Sequence, residues 1–334
     1  LNEERKNILP EKINFTTDYK NILNDTEIEC VIICTPASTH HKLCKEFLNN
    51  SKHVLVEKPT CIKKEDCDEL VKIAQTKNIV FMTDYTFLFN SRVRFLKDYL
   101  KENLKNPIQA KFIRKNYGPV RNDVNVLWDL LSHDISIFLY LFDIEDVDFL
   151  SKDCIKISYY SYEKNIDSCN VFLNYKNINL IFEVSWLDLE KERKIIFSDT
   201  TKKIIIDDVG VPVTILTREN DDIGEYFIGS YQQQFNRMEP SIKINEPLDT
   251  MIKEWKYFLT GNRDNLEKFN KISVNTTKII CYLNSLIESK FSITKSKIKD
   301  NVICENTKII EPVNIYGAKI GKDCSIGPFT EIQP

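Results

Sequence analysis

Two side chains in this sequence have the type and the setting needed for redox chemistry on an alcohol. The first is Lys58. In Val54-Leu55-Val56-Glu57-Lys58-Pro59 an apolar run suited to a buried strand stops at a lysine. Pro59 disfavours helix at the residue before it, which leaves Lys58 in extended backbone. Thr35 ends the preceding apolar run in the same way, ahead of Pro36. In a doubly wound sheet, ligands collect outside the carboxyl ends of the strands. A lysine there is either a solvated surface group or a donor to a substrate hydroxyl whose pKa its charge lowers.

The second is His133, in Trp128-Asp129-Leu130-Leu131-Ser132-His133-Asp134, one of only four histidines in the chain. On a helix, Asp129 and His133 are four apart and share a face. One reading makes them a buried, hydrogen-bonded histidine and a cap-like aspartate. The chemical reading has a neighbouring carboxylate fix the imidazole tautomer and steady its charged form, which suits a proton acceptor near neutral pH. Lys58 then stabilises an alkoxide, His133 removes the proton, and a cofactor takes the hydride. The chain has no Gly-x-Gly-x-x-Gly loop to hold that cofactor's pyrophosphate.

The elements that must position these groups follow from periodicity. Helical signals at 2–9, 18–25, 41–50 and 63–77 alternate with short apolar runs at 30–35, 53–57 and 79–84. That alternation predicts an α/β, doubly wound parallel sheet over residues 1–107. From 108 to 292 the texture becomes α+β. Longer alternating segments such as "QAKFIRKN", "KISYYSY", "NLIFEVSW" and "RKIIFSD" predict a large, open, mostly antiparallel sheet. One strongly apolar helix, 126–142, interrupts them, and helices near 246–260 and 272–289 follow. In the last segment, 297–334, Ile320, Ile326 and Ile332 recur every six residues, with Gly321 and Gly327 after the first two. This is the hexapeptide signature of a left-handed β-helix.

Bulk numbers narrow the function. A chain of 334 residues is long enough for two or three domains. With 46 basic and 49 acidic residues the net charge is −3 and no basic stripe exists, which argues against nucleic acid as a partner. No apolar stretch reaches the roughly 18 residues that span a bilayer, and no signal peptide is evident, so a cytoplasmic location is expected. Ten scattered cysteines form no Cys-x-x-Cys pair and no His/Cys cluster, so no metal site or disulfide framework is expected.

The sequence also resembles the glucose-fructose oxidoreductase/inositol dehydrogenase (Gfo/Idh/MocA) family. "VIICTPASTHHKLCKEFLNNSKHVLVEKP" resembles the family's segment ending in its Glu-Lys-Pro motif, and "DYTFLFNSRVRFLKDYL" the segment that follows. "NYGPVRNDVNVLWDLLSHDISIFLYLF" resembles a sugar-nucleotide branch carrying an Asp-x-x-x-His-Asp block, and "EPLDTMIKEWKYFLTGN" the late helix. The resemblance implies Lys58 and His133 as catalytic pair, with Asp129 the partner of His133 or a substrate contact. It implies Thr35, Pro36, His40, Glu57, Lys58 and Pro59 on the nicotinamide side of NAD or NADP, and Arg121 and Asn125 toward a nucleotide-sugar substrate. The choice between NAD and NADP is not readable.

Compared with the family, the sequence starts after the second strand. The expectation is a Rossmann domain short of roughly 35–40 residues, including the glycine loop, with correspondingly weak dinucleotide binding. The tail resembles β-helix acyltransferases, which implies a fusion to an acyl-CoA-dependent N-acyltransferase of which only the first coils are present. A homo-oligomer is expected by the same analogy. Two other readings stand beside the dehydrogenase: a non-catalytic sugar or cofactor sensor, and a scaffold for the acyltransferase.

Overall fold

The computed structural model describes residues 13–104, 107, 109–162, 165–218, 235–293, 297–299, 302–303, 308–309, 314–316, 318–326 and 331–332. The helix expected over 2–9 lies outside them. Two compact units divide the chain, Leu1–Cys281 and Tyr282–Pro334.

In the first unit a short helix, α1 (Tyr19–Asn24), precedes three strands, β1 (Cys30–Ile33), β2 (His53–Glu57) and β3 (Phe81–Asp84), linked by α2 (Ala37–Asn49) and α3 (Lys64–Thr76). The strands run parallel in the order β1-β2-β3, with Ile33 beside Val56 and Glu57 beside Asp84. Crossover helices cover a parallel sheet, so its strands read as continuous apolar runs. Val54, Leu55, Val56, Phe81 and Met82 are accordingly all buried. α2 docks through Ala37, His40, Cys44, Phe47 and Leu48, spaced to form one helix face.

A 3-10 turn (Thr86–Phe89) and α4 (Ser91–Asn103) lead to β4 (Gln109–Tyr117). A π turn (Leu127–Leu131) then runs directly into α5 (Ser132–Leu141). There follow β5 (Ile155–Tyr162), β6 (Asn165–Tyr175), β7 (Ile178–Ser185), β8 (Leu187–Ser198), β9 (Lys202–Asp207), β10 (Val213–Arg218), β11 (Phe235–Met238), α6 (Pro247–Leu259) and α7 (Leu266–Ile293). The eight strands make one sheet in the order β11-β10-β9-β8-β4-β7-β6-β5. Neighbours are antiparallel except β4 and β7, which run parallel. β10 and β11 extend it past the strands read from sequence. Aromatic packing ties sheet to helix: Phe112 stacks on Phe182 at 4.8 Å, and Phe138 of α5 meets Phe182 edge-on at 6.1 Å.

A triangle of buried hydroxyls fastens the segment after Lys58. Thr60 Oγ1 lies 2.7 Å from Thr83 Oγ1 and 2.5 Å from Ser273 Oγ, and Thr83 Oγ1 lies 2.8 Å from Ser273 Oγ. Each hydroxyl can donate once around the ring, so all three are satisfied.

The second unit holds β12 (Lys297–Lys299), β13 (Val302–Ile303), β14 (Lys308–Ile309), β15 (Asn314–Tyr316), β16 (Lys319–Ile320), β17 (Ser325–Ile326) and β18 (Glu331–Ile332). They pair in parallel: Ile298 with Ile315, Ile315 with Ile332, Ile303 with Ile320, Ile309 with Ile326. Partners are 17 positions apart each time, one fewer than three hexads would give. The short step is the one from Ile315 to Ile320, and from Ile298 to Ile303 before it. Ile315, Ile320 and Ile326 are buried together.

Candidate functional site

Lys58 leaves the carboxyl end of β2 and reaches across to the π turn. Its Nζ donates to the Asp129 carbonyl oxygen at 2.7 Å and to Asp129 Oδ1 at 2.9 Å. Both side chains are mostly enclosed, 13% and 16% exposed. Burial pushes the Lys58 ammonium below its ordinary value, with Asp129 opposing that shift. Burial alone would raise Asp129, yet Lys58, Trp186 and Arg121 together hold it below the usual carboxylate range. Trp186 Nε1 donates to Asp129 Oδ2 at 3.0 Å, and Arg121 reaches Asp129 Oδ1 at 3.3 Å. Asp129 is therefore the hub of the site. Arg121 also grips Asp123 through two nitrogens, at 2.9 and 2.7 Å. Asp123 in turn takes the backbone N–H of Ala37 at the start of α2. The loop bearing Arg121 thus crosses the ends of the parallel strands.

His133 follows the π turn, which widens the coil between it and Asp129 and removes the simple one-face relation of an α-helix. No carboxylate supports the ring. Asp129 serves Lys58, and Asp134 is locked to Arg114, whose NH2 donates to Oδ1 at 2.8 Å and whose Nε lies 3.1 and 3.2 Å from its two oxygens. His133 Nδ1 is buried with no hydrogen-bond partner. Burial first, then the charges of Lys58, Arg114 and Arg193, push the imidazole well below its ordinary value. The expectation of a carboxylate-steadied, readily charged histidine is corrected: no carboxylate bonds this ring, and burial and neighbouring cations disfavour its charged form.

On the other side of Lys58, His40 sits buried between two strand-end carbonyls. Its Nδ1 is 2.8 Å from Pro59 O and its Nε2 2.7 Å from Thr35 O. Thr35 and Pro36 are exposed at the head of α2, and Thr35 Oγ1 lies 2.7 Å from Thr39 Oγ1. Glu57 accepts the Lys58 backbone N–H at 3.1 Å, and burial and Asp84 push its carboxyl up. Asp84, its partner on β3, is likewise raised by burial. The structure thus brings Thr35, His40 and Pro59 together through hydrogen bonds, and joins Lys58, Arg121 and Asp129 in a second group, with Glu57 beside Lys58. Asn125 does something else. Its Oδ1 accepts the N–H groups of Leu127 and Trp128 at 3.2 and 3.3 Å, capping the turn.

Trp186, Phe87, Arg114 and Arg193 were not singled out by sequence. Gly118 N–H binds the Trp186 carbonyl at 2.9 Å, and Gly118 holds φ +57°, which glycine adopts at little cost. Replacing Trp186 by Phe strips Asp129 Oδ2 of its donor. A loss of about 1.5–3 kcal/mol in urea denaturation is expected for a bond to a charged group, whereas an unchanged midpoint would show that Asp129 does not need it.

Among the described residues no helix is long and apolar enough to cross a membrane, and no group of three or more His, Cys, Asp or Glu is placed to hold a metal ion. Residues 3–85 match the family model described as the Gfo/Idh/MocA oxidoreductase family, NAD-binding Rossmann fold. That match covers about a quarter of the chain and is a likeness of its parallel-sheet region to the family. A myo-inositol 2-dehydrogenase of Thermotoga maritima is 20% identical over 74% of the chain and 80% of the relative's length. A UDP-N-acetylglucosamine 3-dehydrogenase of Acidithiobacillus ferrooxidans is 26% identical over 36% of the chain and 38% of its own length. A crystal structure of that enzyme superposes on 86% of each chain with TM-score 0.67 at 16% identity, which shows a shared fold. A UDP-sugar dehydrogenase and an inositol dehydrogenase thus stand among the proteins this chain is similar to.

Proposed function

We propose that the chain is an NAD(P)-dependent oxidoreductase interconverting a hydroxyl and a keto group on a nucleotide-linked sugar, in the assembly of amino sugars or surface polysaccharide. One observation carries the reading. Lys58 commits two of its three N–H donors to Asp129, which orients the ammonium and leaves one donor for a substrate oxygen. That donor strengthens as a hydroxyl becomes an alkoxide. His133 accepts the hydroxyl proton through Nε2, because Nδ1 is sealed. In the reverse direction the same two groups return the proton and release the oxygen.

The residues around Thr35 and His40 suit the nicotinamide end of a dinucleotide. Thr35 offers a hydroxyl, and Glu57 and Asp84 offer carboxyls that burial pushes above the usual carboxylate range. Thr35, Pro36, His40, Glu57 and Pro59 would hold that end. Once bound, the nicotinamide supplies the acceptor for the carbon-bound hydrogen. The UDP-sugar relative supports a nucleotide sugar, and the inositol relative marks the competing polyol.

Residues 297–334 are read as opening coils of a left-handed β-helix of acyltransferase type, supported by the constant 17-residue offset of its parallel strands. Oxidation, amination and N-acylation by acyl-CoA would then be successive steps. The partly exposed outer face of the large sheet supports a homo-oligomer, with Phe172 46% exposed.

The test is to produce the protein from its uninterrupted reading frame and incubate it with NAD or NADP and a panel of UDP- and dTDP-linked sugars alongside free inositols. Reduced-cofactor absorbance with a nucleotide sugar is expected. Cofactor binding without turnover of any of them would favour a sensor.

A further inference from the structure

The site as described leaves the cluster behind the imidazole unexplained. Phe87 meets His133 edge-on, 4.9 Å between ring centroids at an interplanar angle of 76°. Two guanidiniums converge on the same phenyl ring, Arg114 Cζ at 4.3 Å from its centroid and Arg193 Cζ at 5.7 Å. Arg114 is neutralised by Asp134. Arg193 has no such pairing at its Nε, which is buried without a partner, and burial and Arg114 both disfavour its charge. Each guanidinium gains from the face of the phenyl ring, but bringing a second one there costs desolvation and repulsion from the first.

We propose that Phe87, Arg114 and Arg193 form a cationic backing that holds His133 as an uncharged imidazole, ready to accept a proton at pH values where an ordinary histidine is already protonated. The proposal deepens the oxidoreductase reading and rests on it for its catalytic meaning. The charged groups facing the ring come from three elements and share one sign: Lys58 at the end of β2, Arg114 on β4 and Arg193 on β8. Nearby carboxylates are bound elsewhere. Asp129 is taken by Lys58, Arg121 and Trp186, Asp134 by Arg114, and Asp208 by Arg92 at 2.6 Å. Phe87 completes the device by covering the ring on that side while carrying the two guanidiniums on its own surface. A charged His133 would face these cations with no carboxylate of its own, since Asp129 and Asp134 already serve Lys58 and Arg114, and the neutral form is favoured. These are positioning residues, since they act on substrate only through His133.

The arrangement also fixes a sign for stability. An unfolded chain protonates this histidine as pH falls through about 6.5, while the folded chain resists. The contribution is complete above that pH and fades below it, by up to tenfold in the folding equilibrium per pH unit.

The decisive measurement is nitrogen NMR of the histidine rings in the intact protein from about pH 8, through the range in which ordinary imidazoles titrate, down to the acid limit of the fold, with the His133 signal assigned by its loss in His133→Gln. His133 is expected to stay neutral well below that range and to charge only near the acid limit. Arg193→Gln should raise its titration by about one pH unit, tenfold in acidity, and move the acid limb of kcat/KM equally. Arg193→Lys keeps the charge and should leave both near the native position. Should Arg193→Gln fail to fold, Phe87→Leu tests the same backing by removing the ring that meets His133 and carries both guanidiniums, with the same upward shift expected. Titration of native His133 near 6.5, or no movement in the charge-removing variant, overturns the proposal. A low-titrating His133 in a protein that turns over no sugar keeps the backing and removes the oxidoreductase reading instead.

Discussion

Lys58→Ala is expected to lower kcat/KM for reduced-cofactor formation by about 10²–10⁴-fold, the range over which a positioned proton-handling group acts. The side chain is the only described cation that joins the end of β2 to the π turn, and its third N–H is the donor left for substrate. Lys58→Arg is not expected to rescue, because a planar fork cannot reproduce a compact ammonium held between a carbonyl and a carboxylate 2.7 and 2.9 Å away. The fold should survive, since Asp129 retains Trp186 and Arg121. Circular dichroism and thermal unfolding alongside the kinetics separate lost chemistry from lost structure. Activity within tenfold of the native protein would remove Lys58 from the reaction.

Arg114→Met carries the largest expected change in stability. Arg114 and Asp134 are 5% and 2% exposed at their side chains and meet through several close nitrogen–oxygen contacts. Removing the guanidinium strands a carboxylate that burial already pushes toward protonation. A loss of about 3–5 kcal/mol is expected, a large part of the 5–15 kcal/mol that ordinarily separates folded from unfolded chains. The double replacement Arg114→Met with Asp134→Leu should recover most of it, because no buried charge then remains. Urea titrations with unchanged slope and displaced midpoint would show this. A single variant as stable as the native protein would mean that water reaches Asp134.

How much of this was legible depended on whether a signal was local. The three parallel strands were, because burial on both faces makes each an uninterrupted apolar run. Lys58 was, because a strand and a proline bracket it. The Asp129–His133 spacing was also visible, yet it misled: an α-helical period was assumed, and the chain makes a π turn between Leu127 and Leu131. Asn125 stands close to the site in sequence but caps that turn, a role that its place just before the apolar helix could have suggested. Arg114 left a trace that periodicity could have used. It shares strand parity with Ala110 and Phe112, both fully buried, so alternation puts a cation among core residues and demands a carboxylate there. Trp186, Phe87 and Arg193 left none, since each matters through neighbours brought close only by the tertiary fold.

The hydroxyl triangle has a consequence for the order of events as the protein is made. Ser273 is 213 residues from Thr60 and 190 from Thr83, and contacts so distant in the chain form late. Until α7 has been synthesised and has docked, two of the three hydroxyls lack their closing member, and the segment just beyond Lys58 is without its tie to that helix. A nascent chain can therefore complete its parallel strands well before its lysine is secured, and competence for chemistry should arrive with the last helix of this unit.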